Sequence, residues 1–250
     1  MPPEAQPVSD STSQRPGGAR SPVRRWMLRV LLAAGLLLVG YHAWLFAQVW
    51  WLRGHNPSTT AFMEQGLDRL QDRSPQARLQ HRWIPYEQVS VHLKRAVVAA
   101  EDQKFLDHEG FDLEEMEKAY ELNKRRGRVR RGASTISQQL AKNLFLSARR
   151  SYVRKAEEAV ITGMIELLLS KRRILEIYLN VIEWGNGVYG ADAAARHYFG
   201  TSAASLDAEQ SARLAAMIPN PRFYDRRGVT PYLERRTAIL LGQMEYVRVP

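Results

Sequence analysis

A run of 23 consecutive uncharged residues, 30–52, constrains this chain more than any other feature of its sequence. At 1.5 Å per residue, a helix of that length covers roughly 34 Å, enough to cross the hydrocarbon core of a bilayer. Trp44, Trp50 and Trp51 lie towards its C-terminal end, where aromatic rings favour the membrane interface, and arginines precede it. The pattern predicts one transmembrane helix, with the N-terminus in the cytoplasm and the remaining chain outside.

Two other interpretations of this run have less support. A cleaved signal peptide has a shorter apolar region followed by a small-x-small cleavage site, and residues 43–51 offer no persuasive one. A buried helix of a soluble protein would need a much larger protein around it, because His42 and Gln48 alone interrupt the apolar surface. Residues 1–29 are rich in Pro, Ser, Gly and Arg, which predicts a disordered basic tail on the cytoplasmic side.

Composition limits what the rest of the chain can be. Of 250 residues, 45% are apolar and 25% are charged, so the part outside the membrane can bury a core. The absence of cysteine excludes disulfides, thiolate metal sites and a cysteine nucleophile. The net charge of +10 predicts attraction to a polyanion, which leaves nucleic acid, anionic lipid and a phosphate-bearing substrate open.

Residues 53–88 have weak patterns and are interpreted as a stalk and entry segment, whereas residues 89–250 show helical spacing. Apolar series with this spacing are Leu93, Ala96, Val97 and Ala100; Val160, Ile161, Met164, Leu167 and Leu168; and Ile174, Leu175, Tyr178 and Leu179. A last helix is expected at 207–218, ended by Pro219 and Pro221. Long alternating patterns typical of strands do not occur, so the sequence predicts a mainly α-helical domain.

The first polar cluster, residues 101–112, begins with Glu101 and Asp102 at the C-terminal end of a predicted apolar helix. Neighbouring like charges and the negative end of the helix dipole both raise the proton affinity of a carboxylate, which suits a general base. A solvated acidic pair relieved by Lys104 is the simpler interpretation. Zinc binding is disfavoured, because Asp112 stands where a H-E-x-x-H motif beginning at His108 needs its second histidine.

The second cluster, residues 132–143, has Thr135 and Gln138 at capping-box spacing, which predicts a helix start. Free N–H groups there, together with Lys142, also suit an anion, while an ordinary helix start explains part of the pattern equally well. In a third cluster, Arg154 and Glu158 are spaced i, i+4, as in a common helical salt bridge.

Six cations in eight residues at 124–131 separate the first two clusters. A nucleic-acid arm is the usual interpretation of such a run, but an anchored exterior domain argues against it. A loop attracted to anionic lipid or to substrate phosphates fits better, and a merely solvated loop stays open.

In this order, the clusters resemble the motifs of the family 51 glycosyltransferases, the peptidoglycan transglycosylases, over residues 80–225. The matching patterns are E-D-x-x-F-x-x-H-x-G-x-D at 101–112, G-x-S-T-I-x-Q-Q-L-x-K-N at 132–143 and R-K-x-x-E at 154–158, with similar stretches at 171–194 and 206–224. Ala133 and Ser137 depart mildly from the family's usual glycine and threonine. The monofunctional biosynthetic group is the expected subgroup, because the chain ends at Pro250 and contains no S-x-x-K motif.

The resemblance implies a lysozyme-like glycosyltransferase domain behind the transmembrane helix, with Glu101 and Glu158 as the catalytic residues. In this family, the 4-hydroxyl of an acceptor lipid II attacks a lipid-pyrophosphate-linked donor with inversion, and Glu101 takes the position of the general base. Glu158 either orients Arg154 or holds the pyrophosphate through a divalent cation, Mg²⁺ or Mn²⁺. The resemblance also assigns substrate binding to Asp102, Phe105, His108, Ser134, Thr135, Gln138, Gln139, Lys142, Asn143, Arg154 and Lys155.

The implied partners are lipid II, the growing glycan strand, the membrane and cell-wall synthesis proteins, without nucleic acid or an organic cofactor. The implied location is the bacterial cytoplasmic (inner) membrane, with the catalytic domain in the periplasm. The alternative is a catalytically silent, membrane-anchored scaffold that binds lipid II or glycan, against which the presence of both Glu101 and Glu158 argues. A lytic enzyme of lysozyme type would have no use for so many cations directed at phosphate.

Overall fold

A computed structural model describes residues 22–127, 132–149 and 151–250 of the chain. The disorder predicted for residues 1–21, and residues 128–131 of the basic run, lie outside the described residues. The described chain is mainly helical, which confirms the predicted fold class. Its helices are α1 Pro22–Trp51, α2 Ala61–Gln71, α3 Val91–Glu101, α4 Leu113–Arg126, α5 Ile136–Phe145, α6 Tyr152–Leu168, α7 Lys171–Val181, α8 Ala191–Phe199, α9 Ala208–Met217, α10 Pro221–Arg227 and α11 Pro231–Gln243.

One small sheet and two short 3₁₀ helices, Tyr86–Gln88 and Met244–Tyr246, complete the described elements. The strands are β1 Gln80–His81, β2 Glu183–Gly185 and β3 Val188–Tyr189, in the order β1-β3-β2. β1 pairs with β3 in parallel, and β2 pairs with β3 in the antiparallel direction with an irregular register. Sequence periodicity did not predict these strands, because two or three residues are too few to show alternation.

Helix α1 contains the apolar run that the sequence interpretation placed in the membrane. Within the span Val23–Trp51, an 18-residue window has a mean hydropathy of 1.9, and the span is long and apolar enough to cross a bilayer. The helix starts at Pro22, which corrects the disorder predicted for residues 22–29. The described residues divide into two units, one that ends at Trp44 and one that runs from Leu45 to Pro250. In the second unit, Leu45 and Val49 of α1 are buried in the core.

The core of the second unit confirms two of the predicted apolar stripes and corrects a third. The α3 and α7 stripes are buried or nearly so, as predicted. On α6, however, Val160 and Leu167 are exposed, while the buried face consists of Glu158, Ile161, Thr162 and Ile165. Ile161 is buried, and Met164 and Leu168 pack against the core, as predicted; two of the four buried residues are polar, however, so a search for apolar periodicity finds only part of the buried face.

The segment interpreted as a stalk, residues 53–88, differs from that interpretation from residue 61 onward. Helix α2 packs on α5, and Met63 is buried in the same core as Ile84 and Tyr86. Side-chain atoms of Gln65 bond the carbonyl of Leu146 at 3.3 Å and the N–H of Ala148 at 2.9 Å. Scattered prolines and polar residues concealed a short helix that helps to hold the end of α5.

Helix α9 corresponds to the helix expected at 207–218, but it is not the last one. Helices α10 and α11 follow it, and α11 packs against both α9 and α3. The start of α11 follows an ordinary sequence rule, since the side chain of Thr230 caps it and Pro231 occupies its first turn. This helix forms a wall of the candidate site.

Candidate active site

The candidate active site is a cleft at the C-terminal end of α3. Ser90 caps the start of that helix, and Asp102 leaves the helical conformation directly after Glu101, with φ −165°. The cleft has a volume of about 630 Å³ and is lined by residues of α3, the start of α5 and α11, among them Glu101, Ser134, Gln139 and Arg236. Glu101 therefore lies at the end of an apolar helix and faces a space large enough for a sugar.

The Glu101 carboxylate is held by a chain of two hydrogen bonds. Gln139 Nε2 donates to Glu101 Oε2 at 2.7 Å, and Tyr178 Oη donates to Gln139 Oε1 at 2.9 Å. Tyr178 is fully buried on α7, so it fixes the orientation of the amide and directs the amide's N–H group at the carboxylate. Helices α5 and α7 thus position the end of α3.

Burial raises the pKa of Glu101 above its ordinary value, and the adjacent Asp102 charge acts in the same direction. The hydrogen bond from Gln139 and the charges of Arg236 and Lys142 oppose that rise. Burial is the largest of these effects. A carboxylate with raised proton affinity, aimed into a cleft, suits a general base.

Asp102 and His108 are close together, and their side chains form hydrogen bonds with other groups of the protein. Asp102 Oδ1 lies 2.9 Å from His108 Nε2, and Asp102 Oδ2 accepts the N–H of Ile136 at 3.0 Å. His108 Nδ1 accepts the N–H of Gly110 at 3.1 Å, which leaves Nε2 to donate its proton to Asp102. Asp102 therefore ties the first turn of α5 to the loop after α3.

The second cluster forms the capped helix start that the sequence predicted, with Thr135 and Gln138 in a reciprocal capping box at the start of α5. Thr135 Oγ1 also donates to the Gly110 carbonyl at 2.7 Å. Gln138 is only 2% exposed, and Asn143 bonds the carbonyl of Gln139 from a buried position. Both side chains support α5 rather than face the cleft, unlike Ser134, which is exposed and lines it.

Phe105 was also expected to line or support the cleft. Its ring is fully buried, and the Lys171 ammonium lies 4.7 Å from the ring centroid. The ring supports the loop after α3 from within the core and does not face the cleft.

A second charged group, Lys142, Arg154, Lys155 and Glu158, lies on α5 and the first turns of α6. Arg154 Nη1 bonds Glu158 Oε2 at 2.7 Å, and Lys155 Nζ bonds Glu158 Oε1. Glu158 is only 3% exposed, so both of its oxygens are engaged inside the protein. This arrangement holds the Arg154 guanidinium in place and matches the orienting role considered for Glu158.

Lys142 connects the two charged groups. It lies three residues after Gln139 on α5, and residues at that spacing share one helix face. Burial lowers the pKa of Lys142, the charges of Glu158 and Glu101 raise it, and those of Arg154 and Lys155 lower it. Among the described residues, its ammonium has a ring contact with Phe62 at 5.4 Å but neither a hydrogen-bond nor an ion-pair partner.

Sequence reasoning missed several residues of the site. Arg236 and Tyr232 of α11 line the cleft, and Arg236 Nη2 lies 3.5 Å from the carbonyl of Ala100. Arg236 Nε is buried without a hydrogen-bond partner in the part of the chain that the structure describes. No motif distinguishes either residue. Tyr178 was predicted only as part of an apolar stripe, so the role of its hydroxyl was not predicted.

The described residues contain no group of three or more His, Cys, Asp or Glu side chains arranged to hold a metal ion. Both oxygens of Glu158 are already bonded to cations of the protein. The described residues therefore do not form a metal site in this arrangement.

The fold and the cleft together define a helical enzyme domain built around a buried carboxylate and a neighbouring cationic group. The family model of the transglycosylases matches residues 68–245 of the chain. The chain therefore belongs to the transglycosylase family, as its motifs predicted, and it is an enzyme of that family.

Curated relatives resemble the chain over most of its length. A protein of Azoarcus sp. strain BH72, named biosynthetic peptidoglycan transglycosylase, is 60% identical over 226 residues, which are 90% of this chain and 97% of the relative. Proteins of the same name from Methylobacillus flagellatus and Nitrosospira multiformis are 56% and 55% identical, over 91% of this chain and 100% and 99% of their own lengths. The similarity thus includes most of α1 as well as the catalytic domain.

Proposed function

We propose that this chain polymerises lipid II into linear peptidoglycan strands while anchored in the bacterial cytoplasmic membrane. The names of its relatives support peptidoglycan as the product class. The observation that carries the proposal is the 2.7 Å hydrogen bond from Gln139 to Glu101, which places the end of α3 against the helix that carries Lys142 one turn further on. A proton acceptor and a cationic group thus serve one reaction centre.

On the acceptor side, Glu101 removes the proton from the 4-hydroxyl of lipid II as that oxygen attacks. The new bond joins the acceptor oxygen to the anomeric carbon of the donor. The bond from that carbon to the phosphate oxygen breaks on the opposite face, so the configuration inverts. The electron pair leaves with undecaprenyl pyrophosphate, and the proton stays on Glu101 until solvent removes it.

On the donor side, the departing pyrophosphate is a stable anion that needs positive charge rather than a proton. The first turn of α6 contains no acidic residue and contains Arg154, so a side-chain cation adds to the positive end of the helix dipole. Lys142 and the half-exposed Lys155 add two further cations, which stabilise the leaving group through charge-assisted hydrogen bonds.

Helix α1 gives the reaction its location. Lipid II and the growing strand both carry polyprenyl tails in the bilayer, so an anchored enzyme and its substrates share one surface. The helix Val23–Trp51, with an uncharged run at 30–52 and arginines before that run, supports a single-pass anchor with a cytoplasmic N-terminus and an exterior catalytic domain.

Purified full-length protein incubated with lipid II should produce glycan polymer that muramidase digests. Binding of lipid II without polymer would support the scaffold alternative, and shortening of added glycan would support a lytic enzyme. The same assay with and without a chelator tests whether polymerisation requires a divalent cation, Mg²⁺ or Mn²⁺. A polymerisation rate that is unchanged by the chelator would show that the reaction does not require a divalent cation.

A further inference from the structure

The C-terminal end of α1 is held by an arginine from another helix. Arg173, in the first turn of α7, donates from Nε to the Leu52 carbonyl and from Nη2 to the His55 carbonyl, both at 2.8 Å. Nη2 also bonds Asn56 Oδ1 at 2.8 Å. Three hydrogen bonds from one guanidinium therefore fix the residues that leave α1.

Helix physics explains the value of a cation at this point. The last carbonyls of a helix lack partners within the helix and carry partial negative charge. The last turn of α1 contains no basic residue, so Arg173 supplies the missing cation from outside. Leu45, Val49 and Leu52 are buried in the core beside it, so the end of α1 is part of the catalytic domain.

Arg173 is itself held in one orientation. Its Nη1 bonds Glu176 Oε2 at 2.7 Å, and its guanidinium lies 5.6 Å from the ring centroid of Trp83. Only 14% of the side chain is exposed. A guanidinium that is partly buried and bonded on three of its nitrogens acts as a rigid connector rather than as a solvated surface charge.

The same helix also reaches the catalytic carboxylate. Tyr178 lies five residues after Arg173 on α7, and its hydroxyl holds Gln139, which holds Glu101. One helix of eleven residues thus connects the end of the anchor segment with the proton acceptor of the cleft.

We propose that Arg173 is a positioning residue for polymerisation at the membrane, because it joins the end of α1 to the helix that orients the site. Arg173 then keeps the residues that leave α1, Leu52, His55 and Asn56, in a fixed position beside α7. This proposal rests on the proposed function, since it concerns how a membrane-anchored polymerase presents its cleft to substrates in the bilayer. Removal of the Arg173 side chain should lower the polymerisation rate when the substrate is held in a bilayer. It should change the rate little when the substrate is soluble in water.

The test compares two substrates for each full-length variant. Arg173→Ala should polymerise lipid II in vesicles about tenfold more slowly than the parent protein, yet stay within about twofold of it on a short-chain, water-soluble lipid II analogue. Arg172→Ala is the matched control, since it removes a neighbouring, half-exposed cation of α7 that pairs with Glu87, and it should match the parent on both substrates. An equal loss of rate on both substrates, or no loss in vesicles, would overturn the proposal.

A second measurement does not depend on activity. The chain has no cysteine, so Arg53→Cys and Glu209→Cys create two spin-label sites on exposed residues of the second unit without further changes. The distance distribution between the labels should be narrow in the parent and clearly broader after Arg173→Ala. An unchanged distribution would contradict the positioning role of Arg173, whether or not the protein polymerises lipid II, so failure of this proposal and failure of the proposed function are distinguishable.

Should Arg173→Ala fail to fold, two milder variants replace it. Arg173→Lys keeps the charge but loses the planar set of donors. Asn56→Ala removes one of the three hydrogen bonds that Arg173 forms with the residues at the end of α1. Each should broaden the distance distribution and slow the reaction in vesicles by a smaller factor. Parent-like behaviour of both variants in both measurements would overturn the proposal.

Discussion

Gln139 and Glu101 form the contact on which the candidate site depends: Gln139 Nε2 donates to Glu101 Oε2 across 2.7 Å. The bond joins the start of α5 to the end of α3. An N–H donor stabilises the ionised carboxylate, and it therefore acts against the burial that raises the pKa of Glu101. The balance between these two effects sets the pH range in which Glu101 can accept a proton.

Gln139→Ala should move that range upward. Without the donor, the pKa of Glu101 rises further, so the acid limb of the pH–rate profile shifts to higher pH. A hydrogen bond to a charged group contributes about 1.5–3 kcal/mol, so the rate below the shifted limb should fall by at least about tenfold. The measurement is the polymerisation rate across pH, with Gln71→Ala, an exposed glutamine outside the cleft lining, as the control. A lower rate with an unmoved limb would assign Gln139 to substrate binding alone.

Glu101→Gln should make the protein more stable at neutral pH. Because the pKa of Glu101 is raised in the folded state, the folded protein binds this proton more tightly than the unfolded chain, whose glutamates titrate near about 4.3. The free energy of unfolding therefore falls as pH rises through the folded pKa, and a neutral glutamine avoids that loss.

The expected gain is on the order of 1 kcal/mol at neutral pH, or a few degrees in Tm. It should vanish near about pH 3, where the glutamate is protonated in both states. Thermal unfolding followed by circular dichroism at the two pH values measures it. A variant that is less stable than the parent at neutral pH would show that the Glu101 carboxylate contributes structurally.

Arg236, which lines the cleft from α11, should tune the pKa of Glu101. Its charge lowers the pKa of Glu101, so Arg236→Ala should shift the acid limb to higher pH, whereas Arg236→Lys should largely restore it. Arg235→Ala, which changes an exposed neighbour on α11, is the matched control. If Arg236→Ala and Arg236→Lys behave alike, the charge is irrelevant and the guanidinium acts through its shape or hydrogen bonds.

Lys142→Ala should weaken stabilisation of the leaving pyrophosphate. Removing one donor of this kind costs about 10²–10³ in kcat, and inhibition by added inorganic pyrophosphate should weaken in parallel. Lys118→Ala removes an exposed lysine of α4 that pairs with Glu114, and it should leave both quantities unchanged. Normal pyrophosphate inhibition in Lys142→Ala would place the leaving group elsewhere in the protein.

The sequence predicts most where one physical rule acts alone. The apolar stripes of α3 and α7 were found because the same faces are buried, and the capping box of α5 because Thr135 and Gln138 have the required spacing. The buried face of α6 was predicted only in part, because Glu158 and Thr162 on that face are polar and their burial depends on the tertiary fold.

Motif membership does not reveal the direction of a side chain. Gln138 and Gln139 are neighbours in one motif, yet the first closes the capping box while the second bonds Glu101. Arg236 contributes to the cleft only because α11 packs against α3, a long-range contact that no local pattern encodes.

The rate of Glu101→Gln on lipid II tests the central claim most directly. Glutamine preserves size and can still accept the hydrogen bond from Gln139, but it cannot take the proton of the acceptor hydroxyl. We expect polymerisation to fall by about 10²–10⁴, while Glu209→Gln, an exposed carboxylate on α9, stays at the parent rate. Polymerisation by Glu101→Gln at the parent rate would contradict the assignment of Glu101 as the base.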